Sequence, residues 1–75
     1  MWKEGTIKIN SSWIRYEVKV YGSPSQFGID GGRISKLILK RKGEIVCNYD
    51  REWIIKPVDL DVEMALEILI FSENH

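Results

Sequence analysis

Gly28-Ile29-Asp30-Gly31-Gly32-Arg33-Ile34-Ser35-Lys36-Leu37 decides the fold: a glycine-dense turn launches the most basic strand, between two segments that read as hairpins. Three glycines in the first five positions reach positive φ at little cost, and Asp30 can close its own turn through an Asx bond. Upstream, Thr6 to Asn10 and Trp13 to Tyr21 alternate, placing Ile7, Ile9, Ile14, Tyr16, Val18 and Val20 on one face. A Ser11-Ser12 loop would pair Ile9 with Ile14, Ile7 with Tyr16, Glu4 with Lys19 and Trp2 with Tyr21, at the cost of setting Lys8 against Arg15. Downstream, Lys42-Gly43 closes a second hairpin of Arg33 to Arg41 and Glu44 to Asp50, with Arg41 opposite Glu44 in a weak ion pair. There Leu39 faces Val46, while Ile38 meets Cys47 and Lys40 meets Ile45, so both faces of the pair are partly apolar. A strand pair greasy on two sides asks for two covers.

The eleven residues 22–32 hold a proline and four glycines and form the long connection. Neither side is large enough to fold alone, so this is an ordered Ω-type crossing pinned by Phe27 and Ile29, or a loop that contacts a ligand directly. After Asp50 the chain leaves the sheet, with an optional short strand over 53–56 that Pro57 ends. Asp59 is the expected N-cap of a helix over 59–72, with Asp61 and Glu63 in the first turn, where carboxylates suit the helix dipole. Val62, Ala65, Leu66 and Leu69 form its core stripe, and Met64, Ile68 and Phe71 a second stripe beside it. With Ile70, the last two turns are apolar nearly all round. The expected fold is a single α+β domain: an antiparallel meander of four to five strands, over about 5–10, 13–21, 33–41, 44–50 and optionally 53–56, with the C-terminal helix packed on one face.

At 75 residues the chain buries only about 60% of its unfolded surface, so its stability margin is thin and a partner would help it. Eleven basic residues balance eleven acidic ones, leaving no global field toward nucleic acid or an anionic membrane. Locally, Arg33, Lys36, Lys40, Arg41 and Lys42 crowd one strand, and Asp59, Asp61, Glu63 and Glu67 crowd the helix start; a solvated sheet face and a solvated helix face account for both runs. One cysteine excludes an internal disulfide, no run has the length of a membrane span, and Trp2-Lys3-Glu4-Gly5 leads into alternation where a signal peptide would carry an apolar stretch. The expected compartment is the cytoplasm.

Chemistry finds little to work with. The only histidine is the terminal His75, and a Cys/His pair would need that tail folded back onto Cys47, which is by default a small buried strand residue. Asp30, Asp50 and Glu52 could supply three carboxylates to Mg²⁺ or Ca²⁺, but capping turns and pairing with Arg33 and Arg51 explains them as well. The glycine turn is no phosphate loop, because the Lys-Ser/Thr ending is missing and a strand follows it. No enzyme, metal or cofactor is expected.

The turn, together with Asn48-Tyr49-Asp50-Arg51-Glu52-Trp53 and Lys56-Pro57, resembles a family of short uncharacterised proteins of Gram-positive bacteria and their phages and mobile elements, over roughly residues 6–70. The resemblance implies a phage or mobile-element setting and carries over no catalytic residue. The chain departs from it in a helix that is more apolar at its end.

The residues favour a small non-catalytic protein-interaction module that forms a homodimer and binds a further protein. Its expected partner surface is Asp30, Arg33, Tyr49, Asp50, Arg51 and Trp53, with the arginines making charge-assisted contacts and the tryptophan as anchor. Self-association is expected through Met64, Ile68, Ile70 and Phe71. The rival is single-stranded nucleic-acid binding, for which Trp13, Tyr21, Tyr49 and Trp53 accompany Arg15, Lys19, Lys36 and Lys40. Zero net charge and the lack of a recognisable clamp motif stand against it.

Overall fold

A computed structural model describes residues 1–74 and shows an α+β fold of five strands and one C-terminal helix. The strands are β1 (Trp2–Ile9), β2 (Ser12–Val20), β3 (Ile34–Arg41), β4 (Glu44–Asp50) and β5 (Trp53–Ile55), and the helix is α1 (Leu60–Asn74). The sheet is an antiparallel meander in the order β1-β2-β3-β4-β5. Helix α1 lies across β1 to β3 and runs antiparallel to β1, its start beside Asn10 and its end beside Lys3.

The alternation of the first hairpin resolves as expected: Ile14 and Val18 are fully buried and Ile9 nearly so, with Ile7, Tyr16 and Val20 packed partly against the core. The register does not. Ile7 pairs with Ile14, Ile9 with Ser12, Lys8 with Trp13 and Trp2 with Lys19. This is a slip of two residues from the expected pairing, with Asn10-Ser11 as the loop. Asn10 takes a φ of 54°, a left-handed conformation that asparagine tolerates better than most residues. Its amide donates to Asp61 Oδ1 at 2.8 Å, and the Ser12 hydroxyl donates to Asp61 Oδ2 at 3.2 Å, so the first turn of α1 holds the hairpin tip. The slip removes the Lys8–Arg15 clash. It also sets Glu4 against Glu17, and each of these carboxylates finds its own cation, Arg15 at 3.5 Å and Lys40 at 3.8 Å.

The second hairpin carries the other correction. Arg41 pairs with Glu44 and Lys40 with Ile45, but a bulge then shifts the ladder so that Leu39 meets Cys47 and Ile38 meets Asn48. Val46 is the extra residue, and both Val46 and Cys47 turn into the core. The bulge thereby puts most of the hairpin's apolar side chains on the helix side, and the Val46 carbonyl accepts the Val58 N–H at 3.3 Å. Though opposite Glu44 in the ladder, Arg41 makes its ion pair elsewhere: its guanidinium donates to Asp59 Oδ2 at 2.6 Å. Asp59 Oδ1 meanwhile accepts the Val62 N–H at 3.1 Å, the expected N-cap, and the Arg41 guanidinium is the largest cause holding its carboxyl below the ordinary value.

The 22–32 connection is an ordered crossing. Its mouth is closed by the Tyr21 N–H donating to the Arg33 carbonyl at 3.0 Å, and its interior by Ser25 N–H to Gly32 O and Gly28 N–H to Ser25 O. Ile29 pins it to the core at 2% exposure, whereas the Phe27 side chain is exposed. Ile29–Gly31 forms one 3-10 turn with Asp30 at φ 54°, ψ 31°; no Asx bond from Asp30 closes it. A Cβ on Gly28 would clash with the Gly32 carbonyl and come within 2.8 Å of its carbon, so only glycine fits there. Gly22 has open space around it. In urea unfolding, Gly28→Ala is expected to lose about 1–3 kcal/mol, while Gly22→Ala stays within about 0.5 kcal/mol of the parent.

Candidate functional site: a cleft and an exposed helix stripe

Where α1 passes the glycine crossing and β5, the layers do not meet. They leave a cleft of about 430 Å³ lined by Ile29, Asp30, Trp53, Leu66, Glu67, Ile70 and Phe71. Each wall has a local cause: the 3-10 turn presents Asp30 because Ile29 is drawn inward, β5 presents Trp53 opposite Tyr49, and α1 presents Ile70 because Leu66 and Leu69 face the core. Tyr49 and Trp53 meet edge to face, with centroids 5.0 Å apart and an interplanar angle of 73°, a favourable arrangement of ring quadrupoles. The Tyr49 hydroxyl donates to the Phe27 carbonyl at 2.8 Å. Burial, with the Asp30 and Glu52 carboxylates adding to it, raises the Tyr49 pKa. The cleft is apolar at its floor and acidic at its rim, where Asp30 and Glu67 form no ion pair with any described residue.

The six residues expected to form a partner surface are therefore divided. Asp30 and Trp53 share the cleft, and Tyr49 is its buried support. Asp50 points to the opposite sheet face, 4.0 Å from Lys36. Arg51 takes the β4–β5 corner at φ 64°, its N–H donating to the Ser35 carbonyl at 3.1 Å. Arg33 lies half-buried in a separate dip beside Lys3, Tyr21 and Glu73. Asp30, Asp50 and Glu52 do not converge, and among the described residues no group of three His, Cys, Asp or Glu could hold a metal ion. Cys47 is fully buried, and desolvation pushes its thiol up to about 12. Its pairing with His75 lies outside the described residues.

The residues expected for self-association also part company. Ile70 turns into the cleft, while Met64, Ile68 and Phe71 line the solvent side of α1 at 45%, 47% and 70% exposure. Leu60, which sequence reading missed, extends that line at 69%. Its spacing of four before Met64 was the available signal. Phe71 belongs to both features, joining stripe to cleft. On the sheet's far face, Trp2 and Trp13 are exposed, with Lys19 and Lys8 over their rings at 6.0 and 5.3 Å. Lys19 also lies 5.5 Å from the Tyr21 ring and is the main cause lowering the Tyr21 pKa. Among the described residues, no helix is long and apolar enough to cross a membrane.

The Tyr49 hydroxyl is the bond that ties the glycine crossing to the cleft. Tyr49→Phe is expected to cost about 1 kcal/mol and to speed amide hydrogen exchange at Gly28, Gly31 and Gly32 more than at Leu37, which NMR would resolve. No curated protein and no solved structure matches the chain. The sequence matches one family, a domain of unknown function (DUF7678), over residues 1–74, and the chain belongs to that family.

Proposed function

We propose that this chain is a small non-catalytic protein-interaction module, in a phage or mobile-element setting, that associates with itself and presents its cleft to a further protein. The observation that carries the reading is the stripe Leu60, Met64, Ile68 and Phe71, four large apolar side chains exposed in line on an element whose other side already fills the core. Scattered apolar residues on a surface are ordinary, but a continuous line of them on a helix marks a contact surface. The cleft supports the second half of the reading: Trp53 and Phe71 offer aromatic contact, the class of residue that dominates interface energetics, and Asp30 and Glu67 favour a partner side chain that ends in a cation.

Light scattering across a wide concentration range tests self-association. The parent is expected to rise above the chain mass, and Ile68→Glu to weaken the association at least tenfold while keeping the parent's circular dichroism. A parent that stays monomeric at millimolar concentration would sink the reading.

A second reading rests on the sheet's far face, where Trp2, Trp13 and Tyr21 accompany Lys8, Arg15, Lys19, Lys36 and Lys40. Stacking aromatics among cations are what single-stranded nucleic acid requires. Tyr49 and Trp53 do not contribute, because they pack on the helix side. Oligothymidylate titrated at two salt concentrations separates the readings. The interaction-module reading expects no binding at low salt, and binding that falls steeply with salt would establish the rival.

A further inference from the structure

Resting on the self-association reading, we infer that two copies join head to tail: the solvent face of α1 in one copy lies on the far face of the sheet in the next.

On α1, three of the nearby carboxylates are already committed. Asp59 pairs with Arg41, Asp61 accepts from Asn10 and Ser12, and Glu73 pairs with Lys3 at 2.7 Å. Glu63 and Glu67 have no cation within ion-pair distance among the described residues, and no lysine or arginine follows Lys56 in the sequence. The exposed stripe is thus bordered by negative charge alone. On the far face of the sheet the sign is reversed. Glu4, Glu17 and Asp50 each lie against a cation, Arg15, Lys40 and Lys36 respectively. Lys8 and Lys19 form no ion pair with a carboxylate among the described residues and rest over Trp13 and Trp2.

A two-fold pairing of helix against helix would bring Glu63 and Glu67 toward their own copies with no cation on either side. Helix on sheet instead sets the uncompensated acids against the uncompensated bases and covers both tryptophans. The dimensions agree. Leu60 to Phe71 spans about 16 Å along the helix, and Trp2 to Lys8, whose cross-strand partner is Trp13, spans about 20 Å along β1. An interface of ordinary size takes about 800 Å² from each partner, roughly a sixth of the accessible surface of 4887 Å². Such a pair keeps one face of each kind open, the sheet face of one copy and the helix face of the other, so association continues into rings or filaments and does not stop at a dimer.

Complementation decides the matter. The parent is expected to exceed twice the chain mass as concentration rises, and to fall back when salt is raised. Ile68→Glu, which spoils the helix face, and Trp13→Glu, which spoils the sheet face, are each expected to be folded by circular dichroism and to associate at least tenfold more weakly. Mixed in equal amounts, they are expected to form a one-to-one dimer that grows no further, because each supplies the face the other lacks. Should Trp13→Glu not fold, Lys8→Glu with Lys19→Glu on one chain spoils the sheet face in its stead and is mixed with Ile68→Glu, whose sheet face is intact and whose altered helix face stays acidic. If the sheet-face variant associates as the parent does, or the mixture stays monomeric, head-to-tail packing is wrong while self-association stands. A parent that never associates removes both. Oligothymidylate that binds the parent and breaks its assembly would assign the sheet face to nucleic acid and overturn the inference.

Discussion

One helix has to cover five strands. A helix with its side chains is about 10 Å across, and five strands at about 4.8 Å spacing present roughly twice that width. Helix α1 accordingly covers β1 to β3, and the inner side of β4 and β5 needs something else. The glycine crossing supplies it, with Ile29 as the plug and the Phe27 carbonyl bonded to Tyr49 behind β5. Two covers of different origin leave a seam between them, and the cleft is that seam. Its lining mixes the 3-10 turn, β5 and α1 because those are the three elements that approach there without closing.

The same constraint shapes the surfaces left to water. A two-layer domain buries one sheet face and one helix stripe, so the other sheet face and the other helix side stay exposed. In this chain neither is as polar as exposure alone would favour. The far sheet face carries Trp2 and Trp13 beneath lysines, and the outer side of α1 carries four large apolar residues. The charges are sorted as well. Glu4, Glu17 and Asp50 on the sheet and Asp59 and Glu73 at the helix ends have cation partners, while among the described residues Glu63 and Glu67 on the helix and Lys8 and Lys19 on the sheet form no ion pair. Zero net charge thus conceals two faces of opposite sign.

The helix N-terminus joins these layers. Asp59 caps α1 and holds Arg41 of β3, and Asp61 holds the tip of the first hairpin through Asn10 and Ser12. The carboxylates that sequence reading placed there for the helix dipole also fix the angle at which the helix meets the sheet. One short acidic segment does the capping and the docking.

Alternation over Ile7 to Val20, the Lys42-Gly43 turn, the glycine-rich crossing and the Asp59 cap determined the meander, the helix and the inward face of each strand in the first hairpin, because these are local and depend on a period or on a single backbone conformation. Register was beyond that information: a slip of two residues preserves which face points inward, so only the left-handed Asn10 and its bond to Asp61, fifty-one positions away, could choose. The Val46 bulge is decided the same way, since inward burial of both Val46 and Cys47 has no signature in a strand read alone. Asp30, Trp53, Ile70 and Phe71 were legible as candidates from residue type, yet their meeting in one cleft, and the dispersal of Arg33, Asp50 and Arg51 away from it, follow from how far a single helix reaches across five strands.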